Sequence, residues 1–114
     1  MSCLTINILT EDWDLITDNV IRFEGIDIEN LKSLLTDTYE ILKSYSKEKL
    51  VPKEISGLLL AVKNFSWWVM DLEETPLHHL YQQIGNIVSE MNISFLIKGF
   101  EDGKIESLIK ELNQ

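Results

Sequence analysis

Residues 53–72 read KEISGLLLAVKNFSWWVMDL, and this stretch decides the fold. Apolar side chains recur in it at spacings of three and four, which is the period of one face of an α-helix. Further apolar residues widen that face well beyond one stripe, so neighbouring elements must cover the helix on several sides. The stretch therefore predicts the central helix of the fold. The residues that carry its period are Ile55, Leu58, Leu59, Val62, Phe65, Val69 and Leu72.

The flanking sequence predicts further helices. Asp27 is a suitable N-cap, and the apolar residues after it repeat at helical spacing. Thr75 followed by Pro76 is an N-cap with proline at the first helical position. Gly57 and Gly85 each lie inside a predicted helix, where glycine costs about 1 kcal/mol relative to alanine. Their presence there is best explained by a close approach of two helices. The predicted helices span residues 28–45, 53–72, 76–91 and, at the end of the chain, 105–112.

The N-terminal segment predicts strands. Leu4, Ile6 and Ile8 alternate with more polar residues, which is the period of a half-buried strand. Residues 20–23 are β-branched and aromatic enough for a second strand, and Gly25 would close it. A competing amphipathic helix would place its apolar face on Trp13, Ile16, Val20 and Phe23.

A third segment is ambiguous in the same way. Residues 93–99 read ISFLIKG and either form a strand or continue the helix before them. The bracketing Asn92 and Gly99 favour a strand. We therefore expect one α+β domain over residues 1–114, in which three to four helices pack with a small N-terminal antiparallel sheet; the alternative is an all-α bundle.

Composition excludes several classes of function. The chain has 114 residues, with 10 Lys and Arg against 19 Asp and Glu, a net charge of -9. Such a chain lacks the basic face that nucleic acids and anionic membranes require. The longest apolar run has five residues, far short of the ~20 that span a bilayer. Without a signal peptide, and with Cys3 as the single cysteine, we expect a cytoplasmic protein.

No motif indicates catalysis or a metal. The neighbours His78 and His79 point about 100° apart on a helix, so they do not converge on one ion. A calcium-binding loop that began at Asp12 would need an oxygen ligand at its fifth position, where the chain has Ile16. It would also need glycine at its sixth position, where the chain has Thr17. Because phosphate loops and nucleophile elbows are also missing, we expect no cofactor, no metal, no catalytic residue and no enzymatic activity.

Two features predict a contact surface. Four carboxylates lie within eight residues of sequence around one indole, that of Trp13. Trp67 and Trp68 are adjacent on the central helix, so they cannot share one face; we expect Trp68 in the core and Trp67 at a contact. The candidate partner-binding residues are therefore Glu11, Asp12, Trp13, Asp14, Asp18 and Trp67.

Three classes of function follow from these features. The first is a small acidic protein-binding module that masks a basic protein, as immunity proteins and antitoxins do. The second is a self-associating structural or accessory protein, a homodimer through Trp67. The third is a small-ligand binder or enzyme with a pocket between the sheet and the helices. We favour the first, because acidic residues are dense around an aromatic anchor.

Overall fold

Helices make up most of the part of the chain that the structure describes. The structure is a computed structural model and describes residues 3–22, 27–70, 78–100 and 103–113. Over these residues there is no strand, so the predicted α+β fold with an N-terminal sheet is wrong and the all-helical alternative is correct. The elements are α1 (Cys3–Ile21), α2 (Ile28–Tyr45), α3 (Glu54–Met70), α4 (His78–Ile93), a π-helical turn (Ser94–Lys98) and α5 (Lys104–Leu112).

Helix α1 occupies the segment that alternation assigned to strands. Its buried side chains recur every three or four residues and extend over fifteen residues, whereas the alternation covers only five. Of the three alternating residues, Ile6 is buried, while Leu4 and Ile8 are exposed. The helical pattern, which extends over more residues, therefore decides the structure of this segment. Phe23 and Gly25 of the second predicted strand lie outside the described residues. The inward face of α1 consists of Ile6, Leu9, Trp13, Thr17 and Val20, with Ile16 half-buried.

The third predicted strand is a π-helical turn that continues α4. Without a neighbouring strand to pair with, these residues bond their backbone within their own segment. The N–H of Gly99 donates to the carbonyl of Ser94 at 2.6 Å. Gly99 has a φ of 80°, which glycine adopts at little cost, and so the helical path ends there. The expectation of a strand over 93–99 is therefore wrong.

The remaining helices agree with their predictions. Helix α2 has the predicted bounds, and Asp27 caps it. Helices α3 and α4 lie within the predicted ranges or extend them slightly; Leu72, Thr75 and Pro76 are outside the described residues. Of the residues expected in the core, Leu59 is half-buried. The others that the structure describes are buried: Val62, Phe65, Ile84 and Val88.

Helix α3 is central, as expected, because it packs against α1 on one side and α4 on the other. Helix α2 contacts both α1 and α4, so the four long helices form a closed ring around one core. The rings of Trp13 and Phe65, with centroids 5.0 Å apart, join α1 to α3. The Cα radius of gyration is 13.6 Å, near the ~13 Å of a compact domain of this length.

Gly85 and Gly57 differ in their surroundings. A Cβ added at Gly85 would lie 2.8 Å from Cγ2 of Val69, so α3 and α4 approach closely there, as predicted. A Cβ at Gly57 would have no atom within 4 Å, so the same explanation is wrong for Gly57.

Candidate functional site

An open groove of about 370 Å³ lies between α1 and α2. Its floor is apolar, because Leu9, Ile16 and Leu34 reach it from the inward faces of the two helices. Its rim is mostly polar, because the side chains there lie at the solvent-exposed edges of the two helices. Helix α1 contributes Leu15 and the polar residues Asp12 and Asn19; α2 and its cap contribute Asp27, Asn30, Ser33 and Asp37.

The first turn of α2 is fixed by its cap. One carboxylate oxygen of Asp27 accepts hydrogen bonds from the N–H groups of Glu29 (3.0 Å) and Asn30 (3.2 Å). These bonds satisfy two of the backbone donors that a helix start leaves unpaired. Asn30, Ser33 and Asp37 follow on the side of α2 that faces α1, at spacings of three and four.

The helix distributes the four predicted carboxylates over two sides. Asp12 lines the groove, and the other three do not. Glu11, Asp14 and Asp18 are spaced by three and four residues, so they share a separate exposed stripe of α1. Asp18 pairs there with Arg22 at 3.6 Å. The structure therefore does not bring the four acids together.

The indole of Trp13 is fully buried, so it is not the exposed anchor that the sequence predicted. Its Nε1–H donates to Oγ1 of Thr38 at 2.8 Å, and that hydroxyl donates to the carbonyl of Leu34 at 2.7 Å. Trp13 therefore joins α1 to α2 in the core below the groove. A partner could reach it only by opening the bundle.

Trp67 lies on the solvent face of α3, 67% exposed, and no residue of α3 lines the groove. Trp68, expected in the core, is 42% exposed. Adjacent residues on a helix project about 100° apart, so the two indoles point in different directions. Trp67 thus belongs to a surface separate from the groove.

The groove is negative. Asp12, Asp27 and Asp37 line it without any Lys or Arg, and neither Asp12 nor Asp37 is in an ion pair within the described residues. A cation 4 Å from one such carboxylate gains about 1 kcal/mol in bulk water and about 4 kcal/mol at an effective dielectric constant of 20. Over the described ranges, no group of three or more His, Cys, Asp or Glu side chains is arranged to hold a metal ion.

Comparisons with family models, curated proteins and solved structures find no match. Among the helices that the structure describes, none combines the length and apolar character that a membrane crossing requires.

Sequence reasoning missed the α2 side of the groove. Asn30, Ser33 and Asp37 repeat at helical spacing in a correctly predicted helix, so their shared face could have been read from the sequence. Their position opposite Asp12 could not, because α1 was assigned to strands. The third class of function, with a pocket between sheet and helices, also loses its sheet over the described residues.

Proposed function

We propose that the protein is an acidic protein-binding module whose α1–α2 groove receives a basic segment of a partner protein. The observation that carries this proposal is the groove itself: three aspartates around an apolar floor, with no basic side chain in the lining. Carboxylates at the rim attract and orient Lys or Arg side chains, and the floor accepts their methylene stems.

An apolar stripe beside the groove supports a partner that is amphipathic as well as basic. Leu4, Ile8 and Leu15 are spaced by four and seven residues along α1, and all three are exposed. Leu15 also lines the groove, so the stripe and the acidic rim adjoin. A basic helix with one apolar side would contact both at once.

A module that masks a basic protein in this way would act as an inhibitor of the immunity or antitoxin type. Such a role agrees with the size of the chain and its net charge of -9. The cytoplasmic location remains part of this proposal, inferred from the sequence.

The groove can be tested with a defined probe. The probe is a fluorescent helix-forming peptide that carries Lys and Arg on one face and Leu on the other; its control is a scrambled peptide of the same composition. Fluorescence anisotropy should show tighter binding of the amphipathic peptide. The double variant Asp12→Asn, Asp37→Asn should weaken that binding by about tenfold, a loss of about 1.4 kcal/mol. The effect should shrink at high salt.

The double variant Asp14→Asn, Glu40→Gln is the matched control. It removes the same charge from exposed positions of α1 and α2 that do not line the groove. We expect it to bind the peptide almost as wild type does. Equal weakening by both double variants would mean that the net charge attracts the peptide and the groove does not.

A further inference from the structure

The outer face of α3 carries several exposed apolar side chains. Leu60 is 60% exposed and Trp67 is 67% exposed, and they lie seven residues apart, two helical turns or about 10 Å along one face. Met70 is also exposed at the end of the helix. Isolated apolar residues on a surface need no explanation, but a contiguous patch marks an interaction site.

Helix α4 extends this patch. The side-chain amide of Asn92 donates a hydrogen bond to the backbone carbonyl of Leu59 at 3.4 Å. Further along α3, the hydroxyl oxygen of Ser66 lies 2.8 Å from that of Ser89. The two helices are therefore antiparallel. Ile93, which is partly exposed and follows Asn92, lies on α4 at about the level of Leu59 and Leu60 on α3.

The charge of the patch differs from that of the molecule. Residues 55–70 contain no Asp or Glu, although the chain carries 19 of them, and Lys63 is their one charged residue. Interfaces between proteins are depleted of charge at their centre and enriched in Trp and Met. A basic partner would gain nothing here from the acidic character of the chain.

We propose that the α3 face, which consists of Leu60, Lys63, Trp67, Met70 and Ile93, binds a second copy of this chain in a two-fold dimer. The spacing of Leu60 and Trp67 along α3 fits that occupant. A two-fold axis at the midpoint between Leu60 and Trp67 places α3 antiparallel to its copy, so that each Leu60 meets the Trp67 of the other chain. Lys63 lies near the axis, and its long stem lets the ammonium reach solvent at the flank.

The area agrees with such a dimer. The exposed parts of the five side chains amount to apolar surface on the order of 500 Å², the size of the largest patch on an ordinary monomer. A standard interface buries about 800 Å² per partner, so in the proposed dimer this patch is the apolar centre and the polar residues around it form the rim. Contact through a face without carboxylates also limits repulsion between two chains that each carry a charge of -9.

Molar mass in solution tests the dimer. We expect a dissociation constant on the order of 10 μM, so sedimentation equilibrium at about 100 μM protein should give a weight-average mass about 1.8 times the 13.2 kDa of one chain. Leu60→Glu and Trp67→Glu should each raise that constant at least about tenfold, since each places two carboxylates in an apolar contact. Circular dichroism checks that both exposed substitutions leave the helices intact.

Leu4→Glu is the matched control. Leu4 is as exposed as Trp67, and the substitution adds the same negative charge on α1, away from the α3 face. It should dimerise as wild type does. A wild-type mass of one chain, or equal dissociation of all three variants, would overturn the proposal. The groove variant Asp12→Asn, Asp37→Asn should remain dimeric, so the dimer and the proposed function stand or fall separately.

Discussion

At the scale of single residues, the pair Trp13 and Thr38 shows how the core accommodates polar groups. Both side chains are buried, and each donor finds an acceptor: the indole N–H bonds to Thr38, and the hydroxyl of Thr38 bonds to Leu34 within its own helix. In a medium of low dielectric constant, an unpaired donor is far more costly than it would be in water. The hydrogen bond between Trp13 and Thr38 is therefore one of the contacts that hold α1 against α2.

Thr38→Val tests this hydrogen bond. Valine has nearly the shape of threonine but cannot accept a hydrogen bond, so the indole N–H is left buried and unpaired. We expect the free energy of unfolding to fall by about 1–3 kcal/mol, measured by urea denaturation. Thr36→Val is the control; the Thr36 hydroxyl bonds only to the carbonyl of Lys32, and its loss should change stability by less than about 0.5 kcal/mol. Equal effects of the two substitutions would contradict the account.

At the scale of elements, the contact between α3 and α4 depends on small residues. Gly85 lets Val69 approach its backbone, and Ser66 beside it donates to the carbonyl of Gly85 at 3.1 Å. Valine is branched at Cβ and has little rotameric freedom in a helix, so it cannot move aside for an added methyl group. The two axes can remain this close only while position 85 carries no side chain.

The two helical glycines should respond to alanine in opposite ways. Gly85→Ala forces a contact at 2.8 Å with Val69, and we expect a loss of about 1–3 kcal/mol in the free energy of unfolding. Gly57→Ala meets nothing and removes the conformational cost of glycine in a helix, so we expect a gain of about 0.5–1 kcal/mol. Thermal and urea denaturation measure both. A stabilising alanine at position 85 would show that the helices can separate without cost.

The elements also show why part of the fold could be predicted and part could not. Helix α2 was predicted at both ends because Asp27 caps it and its apolar period is uninterrupted. Helix α1 was missed because Leu4 and Ile8, which produce the alternation, are exposed in the bundle and contribute nothing to the core. A short local pattern and a long one competed, and only packing against α3 decides between them.

At the scale of the whole molecule, charge acts against compactness. The carboxylates of a chain with a net charge of -9 repel one another, and the ion pairs Asp18–Arg22 and Glu90–Lys104 lie on the surface. Such pairs each contribute about 0–1 kcal/mol. Stability therefore depends on the apolar core, and the carboxylates that form the groove lower it.

Salt should raise the stability of the protein. Between about 0.01 M and 0.15 M sodium chloride, the screening length falls from about 30 Å to about 8 Å, which weakens repulsion among the carboxylates more than it weakens the few ion pairs. We expect the urea midpoint to rise over this range. For the variant Asp12→Asn, Asp37→Asn, with two fewer negative charges, the rise should be smaller. A midpoint that falls with salt would mean that attractive pairs outweigh the repulsion.

The groove and the residues predicted from the sequence share only Asp12, for the same reason that α1 was missed. Asp12 does line the groove, but Trp13 next to it is buried and Asp14 faces elsewhere, because neighbours on a helix diverge by about 100°. A cluster in the sequence becomes a cluster in space only when its spacing matches the element that carries it. Asp27 and Asp37 are distant from Asp12 in sequence and lie near it only because α2 packs on α1.

The unequal burial of the three tryptophans gives the protein its own optical reporters. Trp13 is fully buried, whereas Trp67 and Trp68, both on α3, are partly exposed to solvent. An aqueous quencher such as iodide should therefore reach the fluorescence of Trp67 and Trp68 in the folded chain and that of Trp13 only after unfolding. Association of two copies through the α3 face would shield Trp67 and leave Trp13 unchanged, so one spectrum can follow assembly and denaturation as separate events.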